Sequence, residues 1–228
     1  MIDLARLSEG RRIGLYCRDP RSYGRALEIL REKGIHAVVL DREPSPREAE
    51  GRFDSVLVLE SDRRRGFVFG ELTTLVYTRL EDELHFLIDL SVSLRGELVS
   101  RAELGVDPGR RIGIALALDG ILVHREVASS PSRLIEILRS LASYVPRLEK
   151  VYVKIGDSPS STELARSIVE EVSKYRDMEV AVQLVSEYEA ERRVLAPFRT
   201  RGDLASAIRI LLSKPKATLY ARRRNTLV

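Results

Sequence analysis

The sequence predicts an α/β protein of two units, a small α/β unit over residues 1–97 and a larger unit over 98–228 built on a mixed five-stranded sheet. Three observations predict it. Residues 11–60 run strand, helix, strand, strand; residues 101–128 read as three strands joined by two tight turns; and helices and strands alternate from there to residue 212. A chain of 228 residues is long enough for one large core or two small ones.

In the first unit, Ile13 to Cys17 is a short apolar strand, and Asp19-Pro20 breaks it. Ser22 is placed to cap a helix whose Tyr23, Ala26, Leu27 and Leu30 fall at helical spacing, with Gly34 placed to end it. Ile35 to Leu40 is a second strand, DREPSPREAEGR a loop, and Ser55 to Glu60 a third strand with the unbroken apolar character of a buried parallel one. The order is that of a Rossmann-like right-handed βαβ core. Phe67 to Tyr77 is a further strand or ordered connection, and Leu80 to Leu98 a linking helix, with Glu81, Asp82 and Glu83 in its first turn where the helix dipole favours them. The boundary falls near Gly96.

The second unit opens on the stretch around which the chain is organised. Leu104 and Val106 lead to Asp107, Pro108-Gly109 punctuates a turn, and Ile112 to Leu116 returns as an apolar strand. Asp119-Gly120 is a two-residue hairpin signal, and Ile121 opens the third strand. Ser130-Pro131 marks the start of a helix with Leu134, Ile135, Leu138 and Leu141 on one stripe. Lys150 to Ile155 is a fourth strand, Ser160 to Glu163 a capping box for the next helix, and Met178 to Val185 a fifth strand. After an arginine-bearing connection, a last helix runs from about Gly202 to Leu212 and a basic tail follows.

Composition narrows the function classes. Hydrophobic residues make up 44% and charged residues 32%, and no apolar run approaches the roughly 18 residues that would span a bilayer. The beginning, MIDLARLSEGRR, lacks a basic-then-apolar leader pattern, so no membrane association and a cytoplasmic location are expected. A single cysteine, Cys17, excludes an internal disulfide and a cysteine metal cage. One Gln, one Asn and many charges suggest a thermophile. The net charge of +4 is unevenly placed: residues 1–100 carry 16 Lys/Arg against 18 Asp/Glu, whereas residues 101–228 carry 22 against 16. A basic second half is compatible with nucleic acid and equally with a solvated tail. There is no Gly-rich phosphate loop after the first strand, where CRDPRSYG matches neither dinucleotide nor P-loop spacing.

GVDPGRRIGIALALDGILV resembles the opening of RuvC and YqgF-type nucleases, whose first strand ends in an Asp before a Gly-containing turn. LVSEYEAER is similar to their acidic position at the end of the fifth strand, and RGDLASAIRILL to their last helix. The likeness extends to archaeal proteins that pair a small α/β domain with a RuvC-like domain and carry an IGD-type turn, here Ile155-Gly156-Asp157. It covers residues 100–214 well and 11–60 weakly. The resemblance implies a ribonuclease H-like domain with Asp107, Glu187 and Asp203 as catalytic acids. It further implies Mg²⁺ or Mn²⁺ held by them and by Asp157, and a homodimer that cleaves structured nucleic acid, a DNA junction or RNA. Two-ion phosphodiester hydrolysis needs hard oxygen ligands of this kind. Arg110, Arg111, Arg192, Arg193, Arg199, Arg201, Arg222, Arg223 and Arg224 are the candidates for phosphate contact. The chain departs from the RuvC pattern in having Gly156-Asp157 where a Glu ends the fourth strand, and Ala205, Ser206 and Ala207 after a single Asp in the last helix.

Each acid also has a purely structural role open to it: Asp107 and Asp157 as turn residues, Glu187 as a surface position, Asp203 as a charge at a helix N-terminus. Two other functions fit the same pattern. One is a ribonuclease H-like nucleic-acid-binding or scaffold protein with weak or no cleavage. The other, more remote, is an actin-like ATPase, whose second Gly-rich phosphate loop the chain lacks.

Overall fold

The computed structural model describes residues 1–59, 65–78, 80, 82–145, 147–159, 161–174, 179–191 and 202–222. The protein is mixed α/β and divides into two compact units, Ile2–Leu98 and the chain from Val99 onward together with Met1.

The first unit contains β1 (Ile2–Asp3), α1 (Leu4–Ser8), β2 (Ile13–Cys17), α2 (Pro20–Glu32), β3 (Val38–Val39), α3 (Pro46–Ala49), β4 (Ser55–Leu59), β5 (Gly66–Phe69), β6 (Thr74–Thr78) and α4 (Glu83–Arg95). Its sheet has the order β3-β2-β4-β6-β5, with β5 alone antiparallel. β4 is buried along its whole length, as its unbroken apolar run requires. Several expectations change here. The Asp19 carboxylate, and not Ser22, caps α2: it accepts the backbone N–H groups of Arg21 and Ser22, and Pro20 occupies the first turn. The second strand shrinks to Val38–Val39 at the sheet edge. The Pro-rich loop contains α3, closed by a Ser45–Glu48 capping box. The stretch 67–77 is a hairpin rather than one strand. The linking helix α4 is part of the core of this unit, with every residue from Phe86 to Leu94 buried. Within it, buried Asp89 accepts from Arg65 Nε at 2.8 Å and from Thr78 Oγ1 at 2.5 Å. These two donors account for a carboxylate that an apolar helix could not otherwise hold.

The second unit contains β7 (Arg101–Pro108), β8 (Ile112–Leu118), β9 (Ile121–Ala128), α5 (Pro131–Tyr144), β10 (Lys150–Gly156), α6 (Ser161–Val172), β11 (Glu179–Val185), α7 (Glu187–Glu191), α8 (Asp203–Leu212) and β12 (Ala217–Arg222). Its strands are ordered β9-β8-β7-β10-β11-β12. β7, β8 and β9 form the antiparallel meander, and β10 and β11 run parallel to β7. The Asp119-Gly120 turn has positive φ at both positions, 45° and 83°. The basic tail is in part a sixth strand of this unit, β12, antiparallel to β11. Ser130 makes no side-chain cap; its Oγ pairs with Ser132 instead. Ser160 of the expected capping box lies outside the described residues.

The sidedness of β8 positions the last helix. Gly113, Ala115 and Ala117 alternate with Ile112, Ile114, Leu116 and Leu118. Alternate side chains of a strand point to opposite faces, so one face of β8 carries only small residues. α8 packs there, with Ala205, Ala207, Ile208 and Leu211 against Ala115, Ala117 and Leu122. The approach is close enough to need glycine. A Cβ on Gly105 would lie 2.2 Å from the Ala207 carbonyl oxygen, and one on Gly113 would lie 2.2 Å from that of Asp203.

Candidate active site

The carboxyl end of β7 meets the N-terminus of α8, whereas the ends of β10 and β11 meet its last turn, where Ile210 packs with Val185 and lies over Gly156. Asp107, near the end of β7, is the register partner of Gly113 on β8. Directly opposite residues share a face of the sheet. Asp107 therefore stands on the face where the first residue of α8, Asp203, rests on Gly113. The two carboxylates interact. Burial pushes the Asp107 carboxyl above the usual range, the neighbouring Asp203 charge pushes it further, and a hydrogen bond with Ser206 opposes both. Gly202, with φ of 63°, admits the turn that starts the helix there.

Glu187 follows β11, two strands from β7. β10 lies between β7 and β11, so the strands ending at Asp107 and Glu187 are not neighbours. Glu187 also starts the short α7 rather than ending a strand. Its side chain folds back over β10: a Cβ on Gly156 would lie 2.7 Å from Glu187 Oε1. Gly156 follows Ile155, the register partner of Val106, so the Glu187 carboxylate sits above the strand adjacent to Asp107. Any side chain at 156 would require the Glu187 and Ile210 side chains to shift.

Asp157 is already engaged. Its Oδ1 accepts the Glu187 backbone N–H at 3.1 Å, and its Oδ2 pairs with Lys216 Nζ at 2.6 Å. The Lys216 hydrogen bond, with the Glu187 N–H, holds the Asp157 carboxyl below the usual range. Among the described residues, no group of three His, Cys, Asp or Glu side chains comes together as a metal site. Of the four expected carboxylates the structure brings Asp107 and Asp203 together as an interacting pair, sets Glu187 over the next strand and ties Asp157 to Lys216.

Asp107 and Asp203 are the residues that would hold a divalent cation. Two hard oxygen donors that repel each other are relieved by a cation, and Mg²⁺ needs only one or two carboxylates besides water and phosphate.

The basic candidates separate. Arg111 is well exposed, with its Nε 4.0 Å from Asp203 Oδ2. Arg110 is exposed beside the β7–β8 turn and lines a cleft with Ser129 and Pro131. The Arg222 guanidinium donates to the carbonyls of Ser173 and Val172 at the end of α6. Arg192, Arg193, Arg199, Arg201, Arg223 and Arg224 lie outside the described residues.

Sequence reasoning missed Gly105, Gly113 and Gly156, whose bare backbones seat α8 and Glu187, as well as Ser206 and Lys216. The alternation of small and large residues in β8 was the available signal for the helix seat. Nothing local marks Lys216, which meets Asp157 across 59 residues of sequence. No protein-family model matches the chain, and no curated protein is detectably similar to it. Among the described residues no helix is long and apolar enough to cross a membrane.

Proposed function

We propose that this protein is a metal-dependent nuclease with a ribonuclease H-like second domain, hydrolysing phosphodiesters in structured nucleic acid in the manner of the RuvC and YqgF-type enzymes its motifs resemble. The strand order of the second unit, an antiparallel meander continued by two parallel strands, supports the fold assignment. The observation that carries the functional reading is the half-buried Asp107 beside Asp203 at the carboxyl end of the central strand.

A bound Mg²⁺ or Mn²⁺ would neutralise developing charge on phosphate oxygens and supply a water of lowered pKa. The residues of the chain do the rest. Asp107 and Asp203 hold the ion and are pre-placed by the packing of α8 on β8. Ser206 orients Asp107 through its hydrogen bond. Arg110 and Arg111, on the turn beside the pair, meet the nucleic-acid backbone. Arg111 also balances Asp203 while no phosphate is present.

Incubation with Mg²⁺ or Mn²⁺ and a panel of junction, flap and RNA–DNA hybrid substrates tests the reading. Cleavage of at least one class is expected, and Asp107→Asn is expected to lower it by about 100-fold or more, the scale for losing an electrostatic contact to the transition state. Cleavage that survives Asp107→Asn removes the site. The second reading, a ribonuclease H-like binding or scaffold protein, is favoured by one observation, the engagement of Asp157 by Lys216. It expects binding to the same substrates with no cutting.

A further inference from the structure

The face of the sheet opposite α8 carries a cleft that the acid pair leaves unused. Pro108 and Ile112 are register partners, and they share that face with the large residues of β8. Both line the cleft, together with Pro131 at the start of α5 and Leu164 of α6. These four give it apolar walls, and its volume is about 220 Å³. Sites that enclose drug-sized ligands run to roughly 300–1,000 Å³, so this one suits a single base and not a whole nucleotide.

Two charged side chains line the same cleft, Arg110 from the β7–β8 turn and Glu163 from the first turn of α6. Both are exposed, and among the described residues neither side chain has a hydrogen bond or an ion pair. Opposite charges that face one apolar cleft without pairing are the convergent polar groups that mark a binding site. Asp107 directly precedes Pro108, and successive strand residues point to opposite faces. The end of β7 therefore serves the acid pair on one side and the cleft on the other.

We propose that this cleft takes an unpaired guanine base of a bound nucleic-acid strand, with Glu163 reading its Watson–Crick edge and Arg110 holding a phosphate beside it. This rests on the reading of the protein as one that acts on nucleic acid. An ionised carboxylate only accepts hydrogen bonds. Guanine presents two adjacent donors on that edge, N1–H and the N2 amine, which two carboxylate oxygens accept side by side. Adenine, cytosine and thymine each set an acceptor beside their one donor group, and the second oxygen repels it. The edge is open only in an unpaired base, and extruded bases are read in this way between apolar walls. Arg110 adds position and no sequence preference.

Anisotropy of labelled short oligothymidylates, each with one central substitution, tests this on the full-length protein at fixed salt. The guanine oligonucleotide is expected to bind about tenfold tighter than the adenine one, with hypoxanthine, which lacks the N2 amine, between them. Glu163→Gln should erase the preference for guanine, whereas Arg110→Ala should weaken every oligonucleotide by the same factor and keep their ratios. Should Glu163→Gln fail to fold, Glu163→Ala reads the same ratio. Equal affinity for guanine and adenine, or a guanine preference that survives in a folded Glu163 variant, would overturn the proposal and leave the nuclease reading standing. Absence of binding to every oligonucleotide overturns it as well, and the Asp107→Asn cleavage comparison then reports on the underlying reading by itself.

Discussion

Asp107 holds a charge that the fold disfavours. Burial and the Asp203 charge raise its carboxyl above the ordinary carboxylate range. Between the unfolded and folded values the native state binds the extra proton, so stability falls as pH rises through that window and the cost stays in full above it. Asp107→Asn removes the charge and is expected to raise the melting temperature at pH 7 by a few degrees, with the advantage vanishing below about pH 3.8 where both states are protonated. Thermal scans of both proteins across that range check it. Added Mg²⁺ should raise the wild-type midpoint and leave the variant unmoved, because only an ion that binds the native state shifts the equilibrium. Such a result would mark Asp107 as placed for function at the expense of stability. At this scale the acids at Asp107, Glu187 and Asp203 were legible as residues at element ends. The engagement of Asp157 was not, since its partner depends on the pairing of β12 with β11.

The site is assembled by one helix seated on bare backbone. Gly113→Ala would drive a methyl group to 2.2 Å from the Asp203 carbonyl oxygen, a contact with backbone that no rotamer change relieves. The expected cost is about 2 kcal/mol, within the range for overpacked cores. Mn²⁺ affinity should fall by about tenfold or more as Asp203 moves off Asp107, since a drop of that size corresponds to 1.4 kcal/mol of binding. Urea denaturation and Mn²⁺ titration of the same variant separate the two effects. Gly24→Ala, mid-helix on the surface of α2 with nothing within 4 Å of the new methyl group, is the matched control and should be neutral or slightly stabilising. Glycine at 113 reads in the sequence as a strand residue of low propensity, and only the register Asp107–Gly113 shows what it makes room for.

Across the whole molecule, charge is divided unevenly, and residues 101–228 hold 22 Lys/Arg against 16 Asp/Glu. If this excess meets phosphates, nucleic-acid affinity should fall by about tenfold or more between 50 and 200 mM salt, as counterion release requires. Fluorescence anisotropy with a labelled junction measures the slope, and a flat response excludes phosphate contact as the source of binding. Arg110→Ala with Arg111→Ala should flatten it, whereas Arg222→Ala should chiefly destabilise the end of α6.

The sequence by itself determined the two α/β units, the meander, most helices and the acids at element ends. Each of these is written in local periodicity, caps and turn residues, which act over a few positions. Only the tertiary structure decided that β10 separates Asp107 from Glu187, that α8 sets Asp203 beside Asp107, and that Lys216 claims Asp157. It also decided that α4 is buried and that the tail closes the sheet as β12. Those outcomes depend on strand order and on backbone approach between residues far apart in the chain, where no local pattern records which partner wins.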